Sequence, residues 1–378
     1  MNYLRLGDYI REVNVRNREL KVTNLLGVNL SKKFFPSIAN IIGTDLSKYK
    51  VIRKGQFGCK FMSVGRDGIL PVSIMKDDEP AIISSAYYVF EVRDENVLLP
   101  DYLMMWLRRP EFDRQLAFYA GADVRGGVNY DDFCEMPIII PSIARQREIV
   151  AEYETLANRI RLNEQMIEKL EATAQALYRK MFVDGVDKEN LPDGWRRGTI
   201  GEFCKEMKSG GTPSRTHIEY WNKKEIPWLK SGEIHNNIVS SVDEYISQAG
   251  LNNSSAKMIS KGAVTMAMYG ATAAQVAYLD CDTTTNQACC NMICHSKEDA
   301  SYLFFHLLAN QGDIKKLANG GAQENLSQEL IAQQPIILFN DKDKKAMFVP
   351  ILDNLIVKYR ENSKLMELQS LLLARMGK

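Results

Sequence analysis

Two long stretches of the chain carry apolar residues at alternating steps of four and three, with Arg, Lys and Glu at most other positions. In the first, Ser142 to Phe182 without a Gly or Pro, the recurring positions are Ile149, Tyr153, Leu156, Ile160, Asn163, Ile167, Leu170, Ala174, Leu177 and Met181. In the second, from about Asp341 to Met376, they are Phe348, Leu352, Leu355, Tyr359, Asn362, Met366 and Leu373, with polar Gln369 weakening the run. This spacing predicts two helices, each with a heptad seam. Asn163 and Asn362 interrupt the two seams at the same place, 199 positions apart. Pro350 stands in the first turns of the second helix, where a proline is tolerated, so the regular part is expected to begin near it. Neither seam is stable in water, and the economical cover for each is the other. An antiparallel coiled coil is then expected, a spacer about 61 Å long at 1.5 Å per residue.

Ahead of each helix the pattern shortens to runs rich in β-branched and aromatic residues, punctuated by glycine: "YKVIRKGQFGCKFMSVGRDGI", "PAIISSAYYVFEV", "AKMISKGAVTMAMYG", "QVAYLD" and "NQACCNMIC". These predict strands, with short helices at Pro100 to Leu107 and Ala300 to Ala309. The landmarks recur. Tyr102, Leu103 and Leu107 return as Tyr302, Leu303 and Leu307, and Lys50 to Gly55 returns as Lys257 to Gly262. Gly126, Gly127 and Pro141 return as Gly320, Gly321 and Pro335. A period near 200 is too long for a solenoid and long enough for each copy to bury its own core. The expected fold class is α+β, two globular modules and two long helices in an internal pseudo-two-fold repeat. The boundaries read as module 1–141, helix 142–182, linker 183–194, module 195–339 and helix 340–378.

Net charge, +1, says nothing about partners. Its distribution says more: residues 1–70 carry 13 Lys/Arg against 5 Asp/Glu, and residues 195–262 carry 10 against 7. Basic residues among aromatics, Asn and Ser suit a surface that neutralises phosphates. No run of 18 apolar residues and no signal-peptide core is present, and seven cysteines fit reduced thiols, so a cytoplasmic protein without a membrane partner is expected.

Signs of catalysis are weak. Cys281, Cys289, Cys290, Cys294 and His295 lie close together but match no zinc-ligand spacing, and a strand is the better reading. Pro192-Asp193 with Glu206-Met207-Lys208 mimics a nuclease signature across a linker, where chance is the simpler cause. The chain has no GxSxG, P-loop or GxGxxG motif.

The segment "LPDGWRRGTIGEF" from Leu191 and "SGGTPSRTHIEYWNKKEIPWLKSGEI" from Ser209 closely resembles the start of a target recognition domain in the specificity subunits of type I restriction-modification systems. In the first copy, Leu25 to Ile69 looks like another recognition-domain type of that family. The helix start that this family often writes as "LPPxxEQ" is "IPSIARQ" at Ile140 and is nearly lost as "LFNDKDK" at Leu338. The resemblance implies a non-catalytic subunit that reads a bipartite, asymmetric duplex DNA target, one half-site per domain. Its implied partners are two modification subunits and two restriction subunits. S-adenosylmethionine, ATP and Mg would serve those partners, with no cofactor or metal bound by this chain. A coiled-coil scaffold without DNA readout is the alternative.

Expected phosphate contacts are Arg16, Lys32, Lys33, Lys208, Arg215 and Lys230, with Ser209, Thr212 and Ser214 as hydroxyl or backbone donors. Expected base readers are Arg66 and Asp67 in the first domain and Ser231, Glu233, His235 and Tyr269 in the second. Trp221 and Trp228 read as loop-pinning residues, and Lys54 and Lys261 as markers of a turn before glycine.

Overall fold

The computed structural model describes residues 3–38, 43–122, 128–184, 186–187, 190–318 and 325–377. The paired glycines at 126–127 and 320–321, and part of the linker, lie outside them. The chain forms two compact units, Met1–Arg159 with Leu365–Lys378, and Ile160–Lys364.

The first unit holds a four-stranded antiparallel sheet in the order Ile10–Val13, Tyr88–Val92, Phe57–Cys59, Val72–Ile74. Alternate residues of these strands, Phe57, Cys59, Phe90 and Val92 among them, enter one core with Tyr102, Leu103 and Trp106 of the helix Pro100–Leu107. The second unit repeats this order as Glu206–Ser209, Cys289–Ile293, Val264–Ala267, Val276–Leu279 and adds a parallel edge strand, Asn237–Val239. Its core is closed by Tyr302, Leu303, Phe304 and Phe305 of the helix Lys297–Lys316. The predicted strand over "FMSVGRDGI" is partly helical instead, at Val64–Asp67, because Gly68 (φ 67°) supplies a left-handed stop.

The repeat extends to single bonds. Tyr102 and Tyr302 are fully buried, and their hydroxyls donate to the Ile139 and Ile337 carbonyls at 2.9 and 3.1 Å. Gly55 and Gly262 both carry positive φ, 82° and 93°, so the repeated Lys-Gly pair is a turn. Lys54 and Lys261 close it on Asp78 and Asp280, at 2.6 and 3.0 Å. Each body also ends where it begins. Leu4–Arg5 pairs with Pro137–Ile138, and Trp195–Thr199 pairs with Pro335–Phe339.

One helix runs over Ile143–Phe182 and another over Val349–Arg375, the latter preceded by a separate short helix at Lys342–Ala346. The long C-terminal helix therefore starts at Pro350's own first turn, as its place in the sequence predicts, and the residues from Asp341 form the separate short helix. Within the second unit the two run antiparallel: Asn163 Nδ2 donates to Asn362 Oδ1 at 2.9 Å, while Phe182 meets Phe348 with ring centroids 6.3 Å apart. Ile160, Ile167, Leu352 and Leu355 are buried there, and Leu170 and Tyr359 half-buried. In the first unit, Ile149 and Tyr153 pack against the core that also holds Leu373 and Met376, and Leu156 is half-buried. Met366 departs from expectation. It is 52 % exposed, and Leu365 is half-buried in its place, because the seam steps by three after Asn362 rather than by four.

Candidate nucleic-acid interface

The candidates of the second unit converge on adjoining loops. Gly210 and Gly211 start the loop that carries Thr212, Ser214 and Arg215. A Cβ at Gly210 would lie 2.1 Å from the Thr285 carbonyl oxygen and one at Gly211 2.2 Å from Ser255 Oγ, so only glycine passes this point. Two indoles then pin the loop: Trp228 Nε1 donates to the Gly211 carbonyl at 3.0 Å and Trp221 Nε1 to that of Ser214 at 3.2 Å. The reading of both tryptophans as loop anchors holds.

Arg215 lies over Trp221, its guanidinium carbon 3.5 Å from the ring centroid, and pairs with Glu244 at 2.6 Å. Glu244 also takes Lys230 at 2.9 Å. The Arg215 hydrogen bond holds the Glu244 carboxyl below its ordinary range, and the bond to Glu244 holds the Lys230 ammonium above its own. Both cations thus stay charged and pre-positioned, with more than a third of each side chain in solvent. Lys208 and Ser209 lie half-buried on the strand Glu206–Ser209, where Lys208 pairs with Glu206 at 2.8 Å.

Further bonds carry the surface onward. Thr212 bonds Gln287, Asn286 Nδ2 donates to Ser231 Oγ at 3.4 Å, and Thr272 Oγ1 donates to the Ser231 carbonyl at 3.1 Å. His235 and Tyr269 stand exposed on the two loops so joined. Glu233 is engaged within its own loop. Its two carboxylate oxygens accept the backbone N–H groups of Lys230 and Asp243, at 3.1 and 3.0 Å, and so cap the loop. Gln287, Asn286 and Thr272 were not foreseen, because their place depends on partners 41 to 75 residues away.

The first unit's candidates scatter. Lys32 is a correction: its side chain is 6 % exposed and its ammonium binds Asp113 at 2.7 Å and the Leu107 carbonyl, with burial lowering its pKa. It is a core ion pair, unavailable to phosphate. Lys33 beside it is exposed. Arg16 donates to the Lys48 carbonyl at 2.5 Å. Arg66 chelates its neighbour Asp67 through two bonds of 2.8 Å, which raises the guanidinium pKa and lowers that of the carboxyl. Each base reader there is thus occupied by the other.

Of the clustered cysteines, Cys289 and Cys290 lie in the strand Cys289–Ile293, with Cys281, Cys294 and His295 outside it, and burial pushes the Cys289 thiol up to about 12. Among the described residues no three His, Cys, Asp or Glu side chains gather as a metal site, and no helix is long and apolar enough to cross a membrane.

Residues 192–366 match the type I restriction modification DNA specificity domain. Across 98 % of its length the chain is 23 % identical to the specificity subunit of the type I restriction enzyme HindI from Haemophilus influenzae, 97 % of which is covered. Its fold is shared by the S subunit of a type I restriction-modification system from M. genitalium, with a TM-score of 0.58, 14 % identity, and 99 % and 95 % of the two chains covered. The second globular body therefore carries the family's DNA specificity domain, and the whole chain is similar in sequence and in fold to type I restriction-modification specificity subunits.

Proposed function

We propose that this chain is the DNA sequence-recognition subunit of a type I restriction-modification complex and works in the cytoplasm. Each recognition domain, 1–141 and 195–339, reads one half of a bipartite, asymmetric duplex target. The helices 142–182 and 340–378 set the gap between half-sites. The chain carries two adenine-methyltransferase subunits and two restriction subunits. Those partners use S-adenosylmethionine, ATP and Mg, and this chain contributes no catalytic group.

The observation that carries this reading is the repeat itself: two self-closed α+β bodies with the same sheet order and the same tyrosine anchor. A target of two unlike halves needs two related readers. In the second domain Arg215 and Lys230, with Lys208, Ser209, Thr212 and Ser214, hold phosphates, while Ser231, His235 and Tyr269 face base edges. In the first domain Arg16, Lys33 and Arg66 with Asp67 remain the candidates.

The test exchanges residues 195–339 for the second domain of another family member and maps methylated adenines in a host that carries the modification partner. One half of the methylated sequence changes and the other is kept. A change in both halves, or no change, rejects domain-by-domain readout. Arg215→Ala is expected to weaken binding of all duplexes alike and to reduce the slope of log affinity against log salt by about one.

A further inference from the structure

Two non-glycine residues of the second unit hold left-handed backbone, Asn236 at φ 57° and Ala274 at φ 67°. Asparagine tolerates this region, whereas alanine gains nothing from it, so the conformation of the fully buried Ala274 is imposed by its surroundings. Both positions are tied to one side chain. Gln311, on the helix Lys297–Lys316, exchanges a reciprocal pair of bonds with Asn236: Nδ2 to Oε1 at 3.1 Å and Nε2 to Oδ1 at 2.9 Å. Its Nε2 group also donates to the Ala274 carbonyl at 2.9 Å. Asn236 Oδ1 in turn accepts the Val276 N–H at 3.0 Å.

This double carboxamide bridges the loop that ends at Asn236 and the turn Tyr269–Ala274. Thr272 and Ser231 close the same gap at a second point. Just outside the clamp stand His235, one residue before Asn236, and Tyr269, 42 % exposed. Strain that persists only because surrounding bonds over-determine it is a way to hold flanking side chains where a relaxed loop would not. Base readout needs such placement, since the groups of a binding site must be held within about 0.5 Å of their productive geometry.

We propose that Gln311 is a positioning residue for base readout at the half-site of the second recognition domain. It touches no base. It acts by locking the His235 loop to the Tyr269 turn, so that both present to one stretch of the groove. This rests on the DNA-recognition reading given above.

The test uses the full chain with its modification partner in a host free of adenine methylation, and genomic DNA as the probe. Gln311→Glu keeps the shape but sets a carboxylate against Asn236 Oδ1 and the Ala274 carbonyl. Asn236→Gly keeps the positive φ and removes only the amide. Tyr302→Phe loosens the same unit far from the loops and serves as the control.

For both loop variants, methylation at sites with one mismatch in the second half rises about tenfold relative to the cognate site, while discrimination in the first half is unchanged. Tyr302→Phe leaves both halves as in the wild type. Wild-type discrimination by both loop variants overturns the proposal. So does equal broadening by Tyr302→Phe, or loss of all methylation by Gln311→Glu while Asn236→Gly stays selective. A wild-type map without a bipartite target is a different result: it removes the DNA-recognition reading itself.

Discussion

In the first turn of its long helix the first unit is fastened by an uncharged glutamine; just ahead of its own long helix, on the short helix Lys342–Ala346, the second unit is fastened by an ion pair. Gln146, fully buried, accepts the Leu99 N–H at 2.8 Å and donates to the carbonyls of Val97 and Pro141 at 2.8 and 2.9 Å. Lys345 stands 199 positions later. It binds Asp299 at 2.7 Å and lies over the rings of Phe203 and Phe339, 5.2 and 5.1 Å from their centroids. Leu99 and Asp299 both belong to the start of the tyrosine helix of their unit. The repeat has kept the position of the joint and replaced its chemistry. Just past "LFNDKDK", where the glutamine of "IPSIARQ" has no counterpart, Lys345 is therefore a change of fastener, with no loss of attachment.

The comparison can be broken first at the joints. Lys345→Ala leaves Asp299 nearly buried without its cation and is expected to destabilise the second unit by about 3 kcal/mol. Gln146→Ala leaves one N–H and two carbonyls short of a partner, at a cost of about 2 kcal/mol in the first unit. Hydrogen exchange in each helix, followed separately, should show each loss confined to its own unit. Equal loss of protection in both would mean the joints are not independent.

The tyrosines provide a sharper and smaller contrast. Tyr102→Phe and Tyr302→Phe each remove one buried bond to a carbonyl, and each should cost about 1 kcal/mol. Effects that differ by more than twofold in thermal melting would show that the two anchors have diverged in energy despite equal geometry.

The smallest effect at neutral pH, but one with a pH signature, lies four residues on. Trp106 Nε1 donates to the Pro137 carbonyl at 3.1 Å, while His306 bonds the backbone of Pro335 and accepts from, or donates to, the Tyr178 hydroxyl at 2.7 Å. Burial pushes the His306 imidazole down to about 4, so it stays neutral when folded. An unfolded histidine, near 6.5, binds its proton first. Stability is thus fully present above about pH 6.5 and is lost as pH falls toward 4. The second unit should loosen in that window, and His306→Gln should flatten the dependence. The first unit, with tryptophan at this place, lacks this histidine contribution. An unchanged acid profile in His306→Gln would assign the loss to carboxylates instead.

Much of this was legible because it is local or periodic. The heptad steps put Asn163 and Asn362 at the same place in the two seams, and the repeated Tyr-Leu pair marked the two core helices. What escaped depends on partners far away in sequence. Lys32 counts as a surface cation until Asp113, 81 residues on, buries it. Glu233 suits a cytosine until the backbone at Asp243 claims its carboxylate. Met366 fitted the seam by spacing alone, and one shorter step hands its place to Leu365. Gln311 shows no motif at all, since its meaning lies in two bent loops that no local pattern announces.

Each body begins and ends on a single ladder, Arg5 opposite Pro137 and Thr199 opposite Pro335. Residues so paired are roughly 5 Å apart across a sheet, so the chain leaves each body almost where it came in. For a genome this makes the coding segment a cassette. It can be copied or exchanged between loci, and a replacement that returns to its own starting point rejoins the flanking chain at the same place. New target sequences can then arise by recombination within a reading frame, without waiting for point mutations to rebuild a binding surface.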